Sequence, residues 1–422
     1  MAISQSAKAV YSPCKVCEDD PETPPLWRIK AARVLHDANE KTVEYKDARL
    51  EFAGIPILYS PYFQHPDPTV KRQSGLLAPS YGSTSYVGAF FEQPYYWAID
   101  KSKDLTLRPI YTTDEGPVLA SEYRQRFDSG EMEIVSSVTN DDNDEWQGHI
   151  DAEGRFDIDE SWRWGFDAEQ ASEKTYMSRY SFGSPSVLTS NLFTEGFRGS
   201  SYTRVDGYYF QGLKSEDDRD TTPIVLPHAQ FHGQTAPAKH GSYTTLDLDA
   251  LSLTREEGAD SHRLSAKAGW ALPYIGSLGD VTKLSLSVRS DNYMVSDVSR
   301  TDQANYDGYA GRLLPLAAVD WNMPFVNDQG SFHHIIKPIA MAAWSPNGGN
   351  PDEIPNEDSQ SFEFDDINLL SHDRYSGLDK AEDGFRASYG LEWGVYGQNG
   401  GYTSTMFGQR YRANKKDTFA EG

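Results

Sequence analysis

The chain has 422 residues, a formal net charge of −24 and only 38% hydrophobic residues, against 13% aromatics (25 Tyr, 19 Phe, 9 Trp). Typical globular domains are roughly 45–50% apolar, so a large dry core is not what orders this chain. The acid excess argues against nucleic acid, whose phosphates are bound by Lys and Arg displacing counterions, and against electrostatic docking on an anionic membrane. No run of about 18 apolar residues occurs, which excludes helical membrane spans. A β-barrel in lipid reconciles these features: its outer face is apolar, its lumen polar and its interfaces aromatic.

From the start, Met1 to Val10 lacks a basic region followed by an apolar stretch. The expectation is either a protein kept inside the cell or a missing true N-terminus. Cys14-Lys15-Val16-Cys17 is the only cysteine pair. A lone CxxC reads as a zinc half-site, a redox pair or cysteines committed to disulfides. Zinc wants four ligands, and no second CxxC follows. From Trp27 to Pro61 the apolar positions Ile29, Ala31, Val34, Val43, Tyr45, Ala48, Leu50 and Phe52 recur mostly at period two, broken at Asp37-Ala38-Asn39. That predicts two or three strands around a turn, too few to make a sheet alone.

Pro56, Pro61, Pro66 and Pro68 then fix φ and remove donors, so this stretch reads as a linker. The expected division is a small β domain over 1–60, a proline-rich connector over 61–74 and a large antiparallel β structure over 75–422. Beyond Ser80 roughly fourteen strands of about ten residues are expected, the weak per-segment signal of a membrane barrel. Leu105, Leu107 and Tyr111 alternate with Thr106 and Arg108. Leu246 and Leu248 alternate with Asp247 and Asp249, and Leu284, Leu286 and Val288 with Ser285 and Ser287. Further strands are expected over Trp146–Phe156, Trp162–Gln170, Tyr202–Leu213, Ile224–His232, Leu264–Leu272, Arg312–Val326, His333–Trp344, Gly384–Tyr396 and Tyr402–Arg412. A propeller would show a repeat of about 40–50 residues, and none recurs. A sandwich or a barrel fits the alternation equally well.

Acidic runs at Asp141 to Glu145, Glu216 to Asp218 and Glu363 to Asp366 fall between strand-like stretches and read as solvated loops, with divalent cations as the other reading. Catalytic signatures are lacking. His228 and His232 are four apart but sit among Pro227 and Gly233, which is no helix for a zinc pair. His333-His334 and Asp365-Asp366 point to opposite faces of a strand. Neither a GxSxG elbow nor a phosphate-cradling glycine loop is present, so no enzyme, cofactor or metal is expected.

Two separated blocks carry a resemblance. PYFQHPDPTVKRQSGLLAPS, followed by PYYWAIDKSKDLTLRP and EYRQRF, resembles the opening of the barrel in the LPS-assembly protein LptD family, also called OstA, Imp or organic solvent tolerance protein. Ile367-Asn368-Leu369-Leu370 followed by RYSGLDKAEDGFRASYGLEW, which holds Ser376, Gly377, Leu378, Asp379, Gly384, Arg386, Tyr389 and Gly390, and then Gly408-Gln409-Arg410-Tyr411 resembles a second signature of that family. Trp27 to Tyr59 is similar to the end of its periplasmic β-jellyroll. The resemblance implies an all-β chain, a transmembrane barrel preceded by the last strands of a jellyroll, in the outer membrane with its N-terminal portion in the periplasm.

It also implies a transport function. Lipopolysaccharide would arrive from an LptA-type periplasmic bridge protein and leave sideways, into the outer-membrane lipids, through a barrel plugged by an LptE-type lipoprotein. Pro79 and Pro94 stand at the positions of the prolines that weaken the family's lateral gate, where each missing donor loosens closure. Cys14 and Cys17 match the N-terminal half of the family's disulfide arrangement. The chain departs from the pattern in its short jellyroll and in a strand count near half of the family's 26, so a fragment with two open sheet edges is expected. The alternative is a general outer-membrane porin or receptor barrel, which would have a constriction of clustered charges and no periplasmic β domain.

Overall fold

A computed structural model describes residues 3–11, 27–52, 54–67, 69–141, 144–300, 303–359 and 368–413, so Cys14, Cys17, the acidic run Glu363 to Asp366 and Ile367 lie outside the described residues. Four N-terminal strands, β1 (Ile3–Tyr11), β2 (Trp27–Asp37), β3 (Thr42–Phe52) and β4 (Ile55–Pro66), form an antiparallel sheet in that order. The β2–β3 turn is fixed by Asp37, whose Oδ1 accepts the N–H groups of Asn39 (2.9 Å) and Glu40 (3.1 Å). Ala31, Tyr45 and Ala48 are buried together on one face, with Ile29, Val34 and Val43 packed against them.

The prolines at 56, 61 and 66 do not make a linker here. They lie in β4, which pairs only with β3 and is the edge of the sheet, where a missing N–H costs no ladder bond. Residues 61–66, expected in the connector, therefore belong to the sheet, and only 67–74 join it to the next unit.

That unit is one antiparallel sheet. It opens with four short strands: β5 (Gly75–Leu76), β6 (Ser80–Thr84), β7 (Gly88–Glu92) and β8 (Tyr95–Trp97). Next come β9 (Lys103–Thr112), β10 (Val118–Phe127), β11 (Gly130–Asn140), β12 (Trp146–Asp157) and β13 (Trp162–Ala171). After the helical turn α1 (Tyr176–Arg179) follow β14 (Val187–Arg198), β15 (Ser201–Gly212), β16 (Ile224–Gln234) and β17 (Tyr243–Thr254). The last are β18 (Asp260–Ile275), β19 (Val281–Val298), β20 (Tyr306–Asn322), β21 (Phe325–Gln329), β22 (Phe332–Ser345), β23 (Gly384–Gly397) and β24 (Tyr402–Arg412).

Fifteen of these strands have ten residues or more, close to the roughly fourteen expected, and the rest are short pieces that pattern reading passes over. The expected strand Arg312–Val326 is two: Pro324 interrupts it, and β22 pairs with β20 and β21 in turn. The strand order closes into a barrel with β24 beside β5, where two open edges were expected. Residue-by-residue ladders run from the opening strands to β23–β24, and none among the described residues crosses the β24–β5 join.

The barrel is polar inside and apolar outside. Leu246 (42% exposed) and Leu286 (45%) face outward with Leu248, Leu284 and Val288, while Asp249 and Asp291 on the same strands are buried. In water such an outer face would be a large aggregation hazard. In hydrocarbon it is the correct solvent match, because the outward positions are mainly apolar and the strand backbones are paired along their ladders. Exposed aromatics mark both rims. Trp97, Phe127, Trp162, Phe197, Tyr274 and Tyr402 lie at one end, and Tyr111, Trp146, Tyr309, Trp344, Phe385 and Tyr411 at the other.

The two ends differ in their connections. At the first end they are short (128–129, 158–161, 199–200, 276–280), and the connector 67–74 enters there. At the second they are long (172–186, 213–223, 346–383).

Candidate functional site at the opening strands and in the lumen

The connector is fastened at both ends. Asp67 donates its N–H to the Lys41 carbonyl (2.8 Å) and pairs with His36 Nε2 (2.5 Å), which ties it to the small sheet. The hydroxyl and N–H of Thr69 hold the Asp67 carboxyl down at about 2. Arg72 grips the barrel instead: Nε donates to Tyr96 Oη (3.0 Å), Nη1 to the Lys101 carbonyl (2.8 Å) and Nη2 to Asp104, which also accepts Arg124 Nε (2.9 Å).

Pro79 and Pro94 are brought side by side. Each stands immediately before a short strand, Pro79 before β6 and Pro94 before β8. The two chain breaks they create, 77–79 and 93–94, face each other across the opening hairpin. β5 pairs with β8 below the break and β6 with β7 above it. Across the gap Leu77 N–H donates to the Pro94 carbonyl (2.9 Å), and Gln93 Nε2 donates to the Leu77 carbonyl (2.9 Å). A side chain thus replaces part of a ladder that two prolines cannot complete.

The lumen holds a second site. Between β22 and β23, residues 346–359 and 368–383 reach into the lumen, and the second stretch carries the first half of the second signature, Arg374 to Asp383. Asp379 Oδ1 accepts Arg263 Nη1 (2.7 Å) and Tyr293 Oη (3.0 Å), while Oδ2 accepts the N–H groups of Glu357 (2.8 Å) and Asp358 (3.1 Å). Arg263, on β18, also binds Asp249 (3.0 Å) on the neighbouring strand and Asp358 (2.5 Å). Burial would push the Asp358 carboxyl up, but the Arg263 charge and the N–H groups of Leu378 and Asp379 outweigh it and hold it below the usual carboxylate range.

Asp291, 0% exposed, takes Arg312 (2.7 Å) and Arg289 (3.1 Å), and both arginines also bind the Leu378 carbonyl. Glu382 gathers Arg410 (2.8 Å), Arg374 (3.4 Å) and Arg412 (3.4 Å). Buried charges persist only when paired in this way.

The other signature residues fall into place around this network. A side chain at Gly377 would overlap the Asp358 carboxylate and backbone, so glycine is required for the close approach. Gly384 (φ +78°) turns the segment into β23. Arg386, 1% exposed, donates Nε to the His372 carbonyl (2.6 Å) and Nη1 to Ser345 Oγ (3.1 Å). Gly390, with Gly408 opposite on β24, leaves a notch filled by Leu369, which is buried at 2% exposure. Tyr389 faces outward and donates its hydroxyl to Gln409 Oε1 (2.5 Å), and Ser376 is exposed, so neither joins the buried network.

The arrangement braces: its contacts are ion pairs and hydrogen bonds among carboxylates, arginines and backbone groups. His228 lies between Asp206 (3.1 Å) and Asp249 (2.9 Å), and His232 is paired with Asp247 (2.5 Å), so the two histidines have separate carboxylate partners. Sequence reasoning missed the wall residues Arg263, Asp291 and Arg312. Their signal is parity: each occupies a lumen-facing position of its strand, but nothing in the chain says which distant segment it meets.

Two family models match the chain: "LPS transport system D" over residues 145–422 and "LptD protein" over residues 45–196. The chain belongs to the LptD family. Among curated relatives, the LPS-assembly protein LptD of Xanthomonas oryzae pv. oryzae is 23% identical, covering 90% of this chain and 51% of its own length. That of Vibrio cholerae is 25% identical, with 94% and 52% covered. The chain therefore spans about half the length of these relatives. Among solved structures, Pseudomonas aeruginosa OccD3 (OpdP) aligns with a TM-score of 0.32 at 9% identity, covering 77% of this chain and 81% of that one. Members of the LptD family are LPS transport and assembly proteins, and the inside-out barrel agrees with the outer membrane as its location.

Proposed function

We propose that this chain forms part of an outer-membrane machine that receives lipopolysaccharide from the periplasm and inserts it into the outer leaflet through an opening in the barrel wall. The family match over residues 145–422 carries the reading. The geometry supports it in three ways. The connector enters at the short-turn end, which is the periplasmic end of outer-membrane barrels, so the four-stranded sheet would stand in the periplasm as the end of a jellyroll. The opening hairpin is broken at Pro79 and Pro94, which makes it the weakest part of the wall and the natural lateral gate. The docking of residues 378–379 on lumen-facing Arg263 and Arg312 argues against a freely open porin.

In this reading the exposed row of β4, including Ile55, Ile57 and Leu58, would guide acyl chains toward the membrane. An LptA-type bridge protein would deliver from below and an LptE-type lipoprotein would support the barrel. Cys14 and Cys17 would form disulfides with cysteines elsewhere in the full-length protein. Depleting the protein in its own cells is expected to leave newly made lipopolysaccharide in the inner membrane and to sensitise the cells to hydrophobic antibiotics. Normal surface lipopolysaccharide after depletion would overturn the proposal in favour of a porin or receptor.

A further inference from the structure

One cavity departs from the polar character of the lumen. Segment 172–186, between β13 and β14, turns inward and sets α1 against the interior wall, where Tyr176 and Ser137 share a hydroxyl hydrogen bond (2.7 Å) and Ser137 meets His149 Nδ1 (2.6 Å). Between this cap and strands β7, β9 and β10 lies a cavity of about 550 Å³. Its walls include Phe90, Ile110, Val118, Met177, Tyr180 and Phe182. Several of these, with Val87, Tyr176 and Leu188, form a single buried apolar cluster. The volume falls within the range of roughly 300–1,000 Å³ typical of small-ligand sites, which pair apolar walls with a few placed polar groups.

The rim supplies those groups. Arg108 is neutralised by Glu92 (2.5 Å), which also accepts the Ser80 hydroxyl (2.9 Å). Asp151 on the rim has no such partner. It stands directly opposite Glu169 on β13, and Glu153, two residues on, stands opposite both Glu133 and Asp167. Arg155 pairs with Asp167 (2.6 Å), which leaves Asp151, Glu153, Glu133 and Glu169 without an ion pair among the described residues. Like charges directly opposite on a ladder repel, so a cation at this rim is favoured and an anion is not.

We propose that the cavity binds a cationic amphiphile, its single aliphatic chain seated under α1 and its ammonium head against Asp151. The charge pattern is the reverse of what a phosphate-bearing lipid would select, so the site is separate from the transport reading above and its test needs no lipopolysaccharide.

The chain, in phosphatidylcholine nanodiscs, is titrated calorimetrically with dodecyltrimethylammonium, dodecyl sulfate and dodecyl maltoside below their micelle concentrations. Saturable single-site binding of the ammonium is expected, about tenfold tighter than of the sulfate, as one well-placed charge contact provides. Asp151→Asn with Glu169→Gln is expected to bring the ammonium and the maltoside to equal affinity. Met177→Trp from the cap and Val118→Phe from the wall should each remove saturable binding, with heat-modifiable gel mobility confirming that the barrel remains folded. Equal affinity of wild type for all three heads, or saturable binding that survives both cavity-filling variants, would overturn the assignment.

Discussion

The two sides of this barrel are built to different standards. The wall from β18 to β23 has strands of up to 18 residues and is braced from within, since Arg263 and Arg312 bind Asp379 and Arg386 binds the His372 carbonyl. The opening side has strands of two to five residues, two proline breaks face to face, and a side-chain hydrogen bond where a ladder bond should be. Backbone ladders set how hard a wall is to open, because each broken bond in lipid exposes groups with no other partner. The lesson is that this barrel concentrates its bracing on one side and leaves the other held by short ladders.

The comparison can be broken most severely at Arg263. Arg263→Ala leaves the buried Asp249 and Asp379 and the part-buried Asp358 without their shared cation, and removing one partner of a buried pair costs about 3–5 kcal/mol. A lower urea midpoint in lipid vesicles, together with protease cleavage in segment 346–383, is the expected outcome. Leu369→Ala empties the notch at Gly390 and Gly408 and is expected to cost about 2–5 kcal/mol by the same urea measurement, toward the low end if the segment can settle into the notch. Gly408→Leu should reproduce the effect by blocking the notch from the other side.

At the opening side the sign reverses. Pro94→Ala returns an N–H to the break and is expected to stabilise the hairpin by about 0.5–1.5 kcal/mol if that donor finds an acceptor. Slower amide exchange around Leu77 and Tyr95 would show it, with reduced lipopolysaccharide export if this hairpin is the gate.

The smallest effect is that of pH. Asp358 is held below the ordinary carboxylate range, so its contribution is complete above the unfolded value of about 3.9 and is lost only as pH falls through its lower folded value. Asp358 therefore keeps its part in docking from neutral pH to about pH 4. Asp379, pushed up by burial and by the Asp358 charge, takes up its proton first on acidification, and a carboxyl raised in the folded state favours docking as pH falls. Protease sensitivity appearing already near pH 5 would contradict that order.

The strand pattern was readable because lipid and lumen impose opposite chemistry on alternate residues. The expected Tyr402–Arg412 coincides with β24, and the Leu284/Leu286/Val288 alternation lies in β19. Strands β11 and β14 escaped because apolar residues occur on both of their faces, as with outward Leu192 beside buried Phe193, which hides the alternation. The prolines of β4 misled because a residue forbidden in a central strand is allowed at an edge, and edge position is a tertiary property. Pairing in the lumen was beyond reach for a similar reason: Arg263 and Asp379 meet across 116 residues of sequence, and only the closure of the wall brings them together.

Amide hydrogen exchange of the barrel in bilayers, resolved by strand, tests the braced-wall and soft-seam account most directly. Protection lasting hours across β18 to β23 alongside exchange within minutes at Leu77, Ser80–Thr84 and Tyr95–Trp97 is the predicted result. Uniform protection around the ring, or an opening side more protected than the braced wall, would contradict it.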